Sequence, residues 1–211
     1  MNFEIYLGIS FRQYCVEEVD AKMRVIAGSR RHLILKSVPG LSVRPTTDRT
    51  KETLFNMLNP YLADCSFLDL FSGSGAIGIE AMSRGALVTV MVEQSQASLD
   101  CIKENLKTTK LTEQARVLHM DVQRAIPLLD KEGKSFDIIF MDPPYNQELE
   151  RQVLSQLADS VLVADDTLII VEASLETDFS YLDKIGFELI REKKYKNNQH
   201  VFIQRRINEP A

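Results

Sequence analysis

Asp142-Pro143-Pro144-Tyr145 is the segment of this chain best suited to chemistry on an amine. An exocyclic amine on a base is a poor nucleophile because its lone pair is delocalised into the ring. A catalyst gains by accepting hydrogen bonds from its N–H groups and drawing the nitrogen toward tetrahedral geometry. The Asp142 carboxylate and the Pro143 carbonyl can accept them, Pro143 and Pro144 fix the backbone that aims the carbonyl, and Tyr145 offers a ring on which an unstacked base can lie. An ordinary strand-ending turn is the competing reading, since Asp-Pro-Pro also occurs in loops.

A second constellation lies upstream. Gly73, Gly75 and Gly78 satisfy the G-x-G-x-x-G spacing, in which glycines allow a tight turn, close backbone approach to a ligand and tight helix packing. The pattern alone suits a dinucleotide fold equally well. Asp69, just before the turn, would repel a pyrophosphate but attract a ligand carrying an ammonium and a sulfonium, and S-adenosylmethionine has both cations and no phosphate. Glu93 follows Gly75 by 18 residues, where an acid can accept hydrogen bonds from ribose hydroxyls of either cofactor. Asp121 is placed to meet an adenine amino group, or to cap a helix.

Strands must position these loops. Ser66–Leu70, Leu87–Val92, Val117–Met120, Phe136–Met141 and Thr167–Val171 are predicted strands. Helices are predicted over Ala76–Arg84, around Leu99, Ile102 and Leu106, around Leu149, Val153 and Leu157, and near Phe179–Ile185. That alternation argues for a parallel, doubly wound α/β sheet with ligands at the carboxyl ends of its strands. Phe187–Arg191 and His200–Arg205, separated by a polar turn, make its end antiparallel. Before the sheet, Met23–Gly28 and Leu33–Val38 are predicted as a hairpin, and Thr46 or Thr47 can cap a helix carrying Leu54, Phe55 and Leu58.

The chain has 211 residues, 45% apolar and 26% charged, enough for one core of ordinary size. No apolar run approaches the roughly 18 residues needed to span a bilayer, and the start lacks the basic and apolar pattern of a secretory signal. A cytoplasmic protein is expected. Cys15, Cys65 and Cys101 are odd in number and far apart, which argues against a disulfide framework or a zinc cluster. The net charge of −5 conceals an asymmetry: Met23–Lys51 carries seven basic residues against Asp48 alone, on an otherwise acidic chain. Such a patch is an electrostatic footprint for a polyanion, or else a solvated surface run.

These motifs resemble the class I S-adenosylmethionine-dependent amino-methyltransferases. The closer resemblance is to bacterial 16S ribosomal RNA guanine-N2 methyltransferases, which begin much like Met23-Arg24-Val25-Ile26-Ala27-Gly28 and carry a segment like Arg44-Pro45-Thr46-Thr47-Asp48-Arg49-Thr50-Lys51-Glu52-Thr53-Leu54-Phe55-Asn56. It runs from about Met23 to Arg206. His32 departs from it, standing where relatives usually have a small or basic residue.

The resemblance implies a Rossmann-like, seven-stranded, mostly parallel sheet ending in an antiparallel hairpin. It divides the chain into an extension over 1–22, a basic hairpin over 23–43 and a methyltransferase domain over 44–211. S-adenosylmethionine would be held by Asp69, Phe71, Ser72, Gly73 and Gly75 at its methionine part, by Glu93 and Gln94 at the ribose, and by Asp121 and Val122 at the adenine. Arg44 and Thr46 would lie beside it. Asp142, Pro143, Pro144 and Tyr145 would hold the target guanine N2 amine, and Arg24, Arg30, Arg31 and Lys36 would contact phosphates of 16S ribosomal RNA or the small subunit. A monomer needing no metal is expected. The competing readings are a DNA adenine or protein glutamine amino-methyltransferase, an NAD-dependent dehydrogenase, and a non-catalytic RNA-binding assembly factor.

Overall fold

A computed structural model describes residues 23–38, 48–145 and 147–206. Helix α1 (Asp48–Leu58) leads, through a short 3-10 turn at Pro60, into strand β1 (Ser66–Asp69), and then α2 (Ala76–Ser83), β2 (Val88–Glu93), α3 (Gln96–Thr109) and β3 (Ala115–His119) follow. The chain returns through α4 (Val122–Asp130), β4 (Phe136–Met141), α5 (Leu149–Ala158), β5 (Val163–Ser174), β6 (Phe187–Lys194) and β7 (Asn198–Arg205). The strands form a seven-stranded sheet of order β3-β2-β1-β4-β5-β7-β6. All pairings are parallel except β5 with β7 and β7 with β6. The expected architecture is therefore found.

Alternation along the strands builds a core on each face. On one, Leu68, Val90, Val92, Ile139, Met141 and Ile169 pack against Ala125, Ile126 and Leu129 of α4 and Val153, Leu154 and Leu157 of α5. On the other, Phe67, Ile138, Phe140 and Ile170 meet Leu54, Phe55 and Leu58 of α1, while Met91 meets Ile79 of α2 and Ile102 and Leu106 of α3. Both faces are covered, so these strands are apolar throughout. Each fully buried Val, Leu, Ile, Phe or Met side chain contributes about 1.5–3 kcal/mol.

Strand order reverses between β1 and β4. The chain steps outward from β1 to β3, then crosses back to β4 on the other side of β1. The carboxyl ends of β1 and β4 flank the resulting crevice, which is where an open α/β sheet binds its ligand. Asp69 closes β1, and Asp142 follows β4 directly.

Three expectations are corrected. Helix α4 has no counterpart in the predicted elements, because Pro127 interrupts an otherwise helical pattern of Val122, Ala125, Ile126 and Leu129. The segment Phe179–Ile185 forms only a 3-10 turn over Leu182–Ile185, stopped at Gly186 with φ +81°. The amino-terminal hairpin pairs Arg24 with Ile34 through one isolated bridge rather than two full strands. Ile26 and Ala27 donate their N–H groups to Glu80 of α2, at 2.8 and 3.0 Å, and so are withdrawn from cross-strand pairing. Among the described residues no helix is long and apolar enough to cross a membrane.

Candidate functional site

The turn after β1 is built from backbone. The Ser72 N–H donates to Val92 O at 3.1 Å, the Gly75 N–H to Ser72 O at 2.7 Å, and the Ile79 N–H to Gly75 O at 2.9 Å, which starts α2. Gly75 stands at φ +78°, the left-handed region that side chains disfavour. Glu93, at the end of β2, clamps this turn: its carboxylate accepts from the Gly73 N–H at 2.8 Å and from the Ser95 N–H at 2.7 Å. Each carboxylate oxygen keeps a further lone pair for a ligand hydroxyl.

These groups wall a cavity of about 380 Å³, whose lining includes Phe71, Ser72, Gly73, Glu93, Gln94, Asp121 and Val122 on one side and Phe140, Asp142 and Pro144 on the other. Lys51 and Met23 complete it from α1 and the hairpin. Asp121 caps α4, its Oδ1 accepting from the Gln123 N–H at 2.8 Å, and the residue also lines the cavity. Arg44 and Thr46 lie outside the described residues.

Asp69 is not on the cavity surface. It is 1% exposed behind the Leu70–Ser72 wall, and neither carboxyl oxygen has a hydrogen-bond partner. The Ser72 hydroxyl donates to the Asp69 main-chain carbonyl instead, at 2.9 Å. Burial pushes the Asp69 carboxyl up to about 7, with the nearby Gly78 N–H and Ser72 hydroxyl offsetting part of the shift. Burial first, then the charges of Glu172 and Asp69, hold Asp142 well above the usual carboxylate range. Acids raised in this way favour a cation nearby, which would lower them again. That orphaned acid, the Glu93 clamp and the absence of a basic phosphate cradle in the turn fit a cationic nucleoside better than a dinucleotide.

The Asp142–Tyr145 loop leaves β4 at the cavity's edge. Pro143 is buried, whereas Pro144 and Tyr145 are exposed, Tyr145 by 41%. Burial keeps the Tyr145 phenol protonated, and its hydroxyl points to Glu172 Oε1 at 3.4 Å. Glu172, Asn198 and His200 were not among the expected site residues. Glu172 follows the apolar run Leu168–Val171, and an acid at the carboxyl end of a strand is the same signal that marks Glu93 and Asp142.

The basic patch is partly engaged with the protein itself. Arg24 pairs with Asp48 at 2.8 Å, Lys36 pairs with Glu104 at 2.6 Å, and Arg30 Nε donates to Thr109 O at 2.6 Å. Arg31 is exposed at the hairpin turn. The exposed ion pairs of Arg24 and Lys36 are worth about 0–1 kcal/mol each. Among the described residues no group of three or more His, Cys, Asp or Glu is arranged to hold a metal ion.

Sheet order, glycine turn, the acid ending β2 and the Asp-Pro-Pro-Tyr loop together define the class: a Rossmann-like, S-adenosylmethionine-dependent methyltransferase. The chain belongs to the family described as conserved hypothetical protein 95, whose model matches residues 23–204. It is 40% identical over 156 residues to the protein YlbH of Bacillus subtilis (strain 168), covering 74% of this chain and 85% of that protein. It is likewise 40% identical over 157 residues to ribosomal RNA small subunit methyltransferase D of Escherichia coli (strain K12), covering 74% of this chain and 76% of the relative. The solved structure of yhhF from Escherichia coli superposes with a TM-score of 0.74 at 37% identity, covering 89% of this chain and 99% of that one.

Proposed function

We propose that this protein methylates the N2 amine of a guanine in 16S ribosomal RNA, using S-adenosylmethionine. The observation that carries the reading is that Asp142 and Pro144 wall the same cavity as Gly73 and Glu93, so a methyl donor and an acceptor amine can share one space. The E. coli relative named for the ribosomal RNA small subunit supports the substrate class.

Glu93 would hold the ribose, Asp121 and Val122 the adenine, and the turn Phe71–Gly75, with Asp69 behind it, the methionine part. S-adenosylmethionine, when bound, supplies a methyl group on a sulfonium, and transfer forms a nitrogen–carbon bond as the sulfur–carbon bond breaks and the amine loses one proton. The protein's part is positioning and electrostatics. Asp142 and the Pro143 carbonyl accept the amine N–H groups, and the Tyr145 ring supports the base once it leaves its stack. No base beyond Asp142 or water is needed to take the proton.

The reading is tested by incubating the protein and S-adenosylmethionine with small ribosomal subunits from cells lacking its gene, then quantifying methylated nucleosides by mass spectrometry. N2-methylguanosine should accumulate. Methylation of DNA adenine or of protein glutamine instead would redirect the substrate and keep the chemistry, and nicotinamide cofactor binding would return the site to the dehydrogenase reading.

Glu93→Ala should weaken S-adenosylhomocysteine binding, measured by calorimetry, about 10- to 100-fold. It removes a charge-assisted acceptor worth roughly 1.5–3 kcal/mol and releases the Gly73 and Ser95 N–H groups it clamps. An affinity within twofold of the parent would remove Glu93 from the cofactor site. Reversing Arg31 and Lys36 to Glu should lower RNA affinity and flatten its salt dependence by about one logarithmic unit per cation, with S-adenosylhomocysteine affinity unchanged. An unaltered salt slope would mean that the hairpin does not touch phosphate.

A further inference from the structure

Glu172 is a carboxylate only 4% exposed, and the fold does not need one there. Its strand pairing is made by backbone, in a β5–β7 register that sets Glu172 opposite His200. An apolar side chain of similar volume would serve the ladder as well, and burying a carboxylate for stability alone gains little. Yet three groups converge on it. Asn198 Nδ2 donates to Oε1 at 2.5 Å, the His200 ring nitrogen Nε2 lies 3.0 Å from Oε2, and the Tyr145 hydroxyl donates to Oε1 at 3.4 Å. His200, itself fully buried, is fixed in turn by the Tyr195 hydroxyl at 3.1 Å from Nδ1.

We infer that Glu172, held by Asn198 and His200, is a positioning residue that anchors the Tyr145 hydroxyl and so sets the ring on which the acceptor base lies. The anchor rests on the reading of Asp142–Tyr145 as the amine-holding loop. Its logic is mechanical. Tyr145 sits on an exposed loop, where its ring would otherwise rotate freely, whereas β5 and β7 are rigid sheet. A hydrogen-bond network centred on the buried Glu172 and His200 favours one geometry for the hydroxyl it holds. Asp142 stands beside the same carboxylate. Among the described residues, the charged and titratable groups around it include Asp69 from β1, Glu172 from β5 with His200 of β7 behind it, the Tyr145 phenol, and, across the cavity, Lys51 from α1 with Glu93 and Asp121.

A mutant cycle tests this, with single-turnover methyl transfer, S-adenosylhomocysteine affinity and thermal midpoint measured for each variant. Glu172→Ala should lower kcat about tenfold with cofactor affinity unchanged, and Tyr145→Phe, which keeps the ring and loses the hydroxyl, should lower it as much. The double variant should lose no more than either single, because both remove one interaction. Losses that multiply would overturn the inference. Glu172→Gln keeps an acceptor oxygen and should recover most of kcat. It also removes a negative charge near Asp142, so the acid limb of its pH profile should move to lower pH. That limb reports the charge beside Asp142 alone; what separates the anchor from a purely structural Glu172 is the recovery of kcat in Glu172→Gln together with the non-additive cycle. Should Glu172→Ala fail to fold, Asn198→Ala, which frees the carboxylate to rotate, replaces it in the cycle. Asp142→Ala separates the two claims. If Asp142→Ala and Tyr145→Phe both keep full activity, the loop reading itself fails. If they lose activity while the Glu172 variants do not, only the anchor fails.

Discussion

Asp142→Ala should fold, bind S-adenosylhomocysteine normally, and methylate small ribosomal subunits about 10²- to 10³-fold more slowly than the parent. The magnitude is that of deleting one preorganised group aimed at charge developing on the reacting atom. Folding should not suffer, because Asp142 sits in a neighbourhood of like charge: Glu172 and Asp69 both raise the cost of ionising it. Removing it relieves that repulsion. The same environment gives a pH signature with a definite sign. The carboxylate form accepts the amine N–H groups, and its proton affinity is raised, so activity is present above the raised pKa and falls as pH drops through it. The acid limb of the parent's rate profile should therefore lie above the usual carboxylate range, and a bound cation should pull it part of the way back. Asp142→Asn should lose activity less severely than Ala, since its amide oxygen still accepts, but without the acid limb. Single-turnover rates from pH 5 to 9 on one substrate decide the matter. An Ala variant within tenfold of the parent at every pH would leave Asp142 as a strand-ending turn.

The features readable from sequence were those whose signal is local. Phe67-Leu68-Asp69 with the glycine turn, and Phe136–Met141 with Asp142, each carry strand, loop and acid within a dozen residues, and the switch point between β1 and β4 brings the two together. What escaped depends on contacts between distant segments or on one residue outweighing a pattern. Pro127 hid α4, although Val122, Ala125, Ile126 and Leu129 recur at helical spacing and Asp121 caps it. Asn198 and His200 acquire their role only because β7 turns back antiparallel along β5 and sets them beside Glu172. Glu80 lies in the run Ala76–Ser83, whose pattern gives no clear polar face, and nothing nearby in sequence announces that two of its partners, Ile26 and Ala27, lie more than fifty residues upstream.

That glutamate joins the hairpin to the body of the fold, and its removal should be the most damaging single change to stability among these variants. Glu80 is fully buried. It accepts the Ile26 and Ala27 N–H groups, takes Arg84 Nε at 2.7 Å, and pairs with Lys51 Nζ at 3.5 Å. Lys51 is 2% exposed, and burial lowers its pKa against the opposing pull of Glu80. Glu80→Ala leaves a buried ammonium that keeps only its 2.6 Å hydrogen bond to the Arg24 carbonyl and the field of Asp48, together with two orphaned backbone donors. Breaking a buried pair from one side costs about 3–5 kcal/mol, which for a domain of this size corresponds to a drop of roughly 6–20 °C in thermal midpoint. Arg84 is the least affected partner, because its guanidinium also lies 5.2 Å from the Phe55 ring centroid. Adding Lys51→Met should recover much of the loss, since the unpaired charge goes with it, while the orphaned Ile26 and Ala27 donors keep the hairpin loosened. Limited proteolysis should then cut between Met23 and Lys36 before it cuts the sheet, and RNA affinity should fall further than cofactor affinity. A Glu80→Ala midpoint within about 2 °C of the parent would mean that water reaches Lys51, and that the hairpin is held by Val25 and Leu35 in the core beside Ile79 rather than by this buried charge.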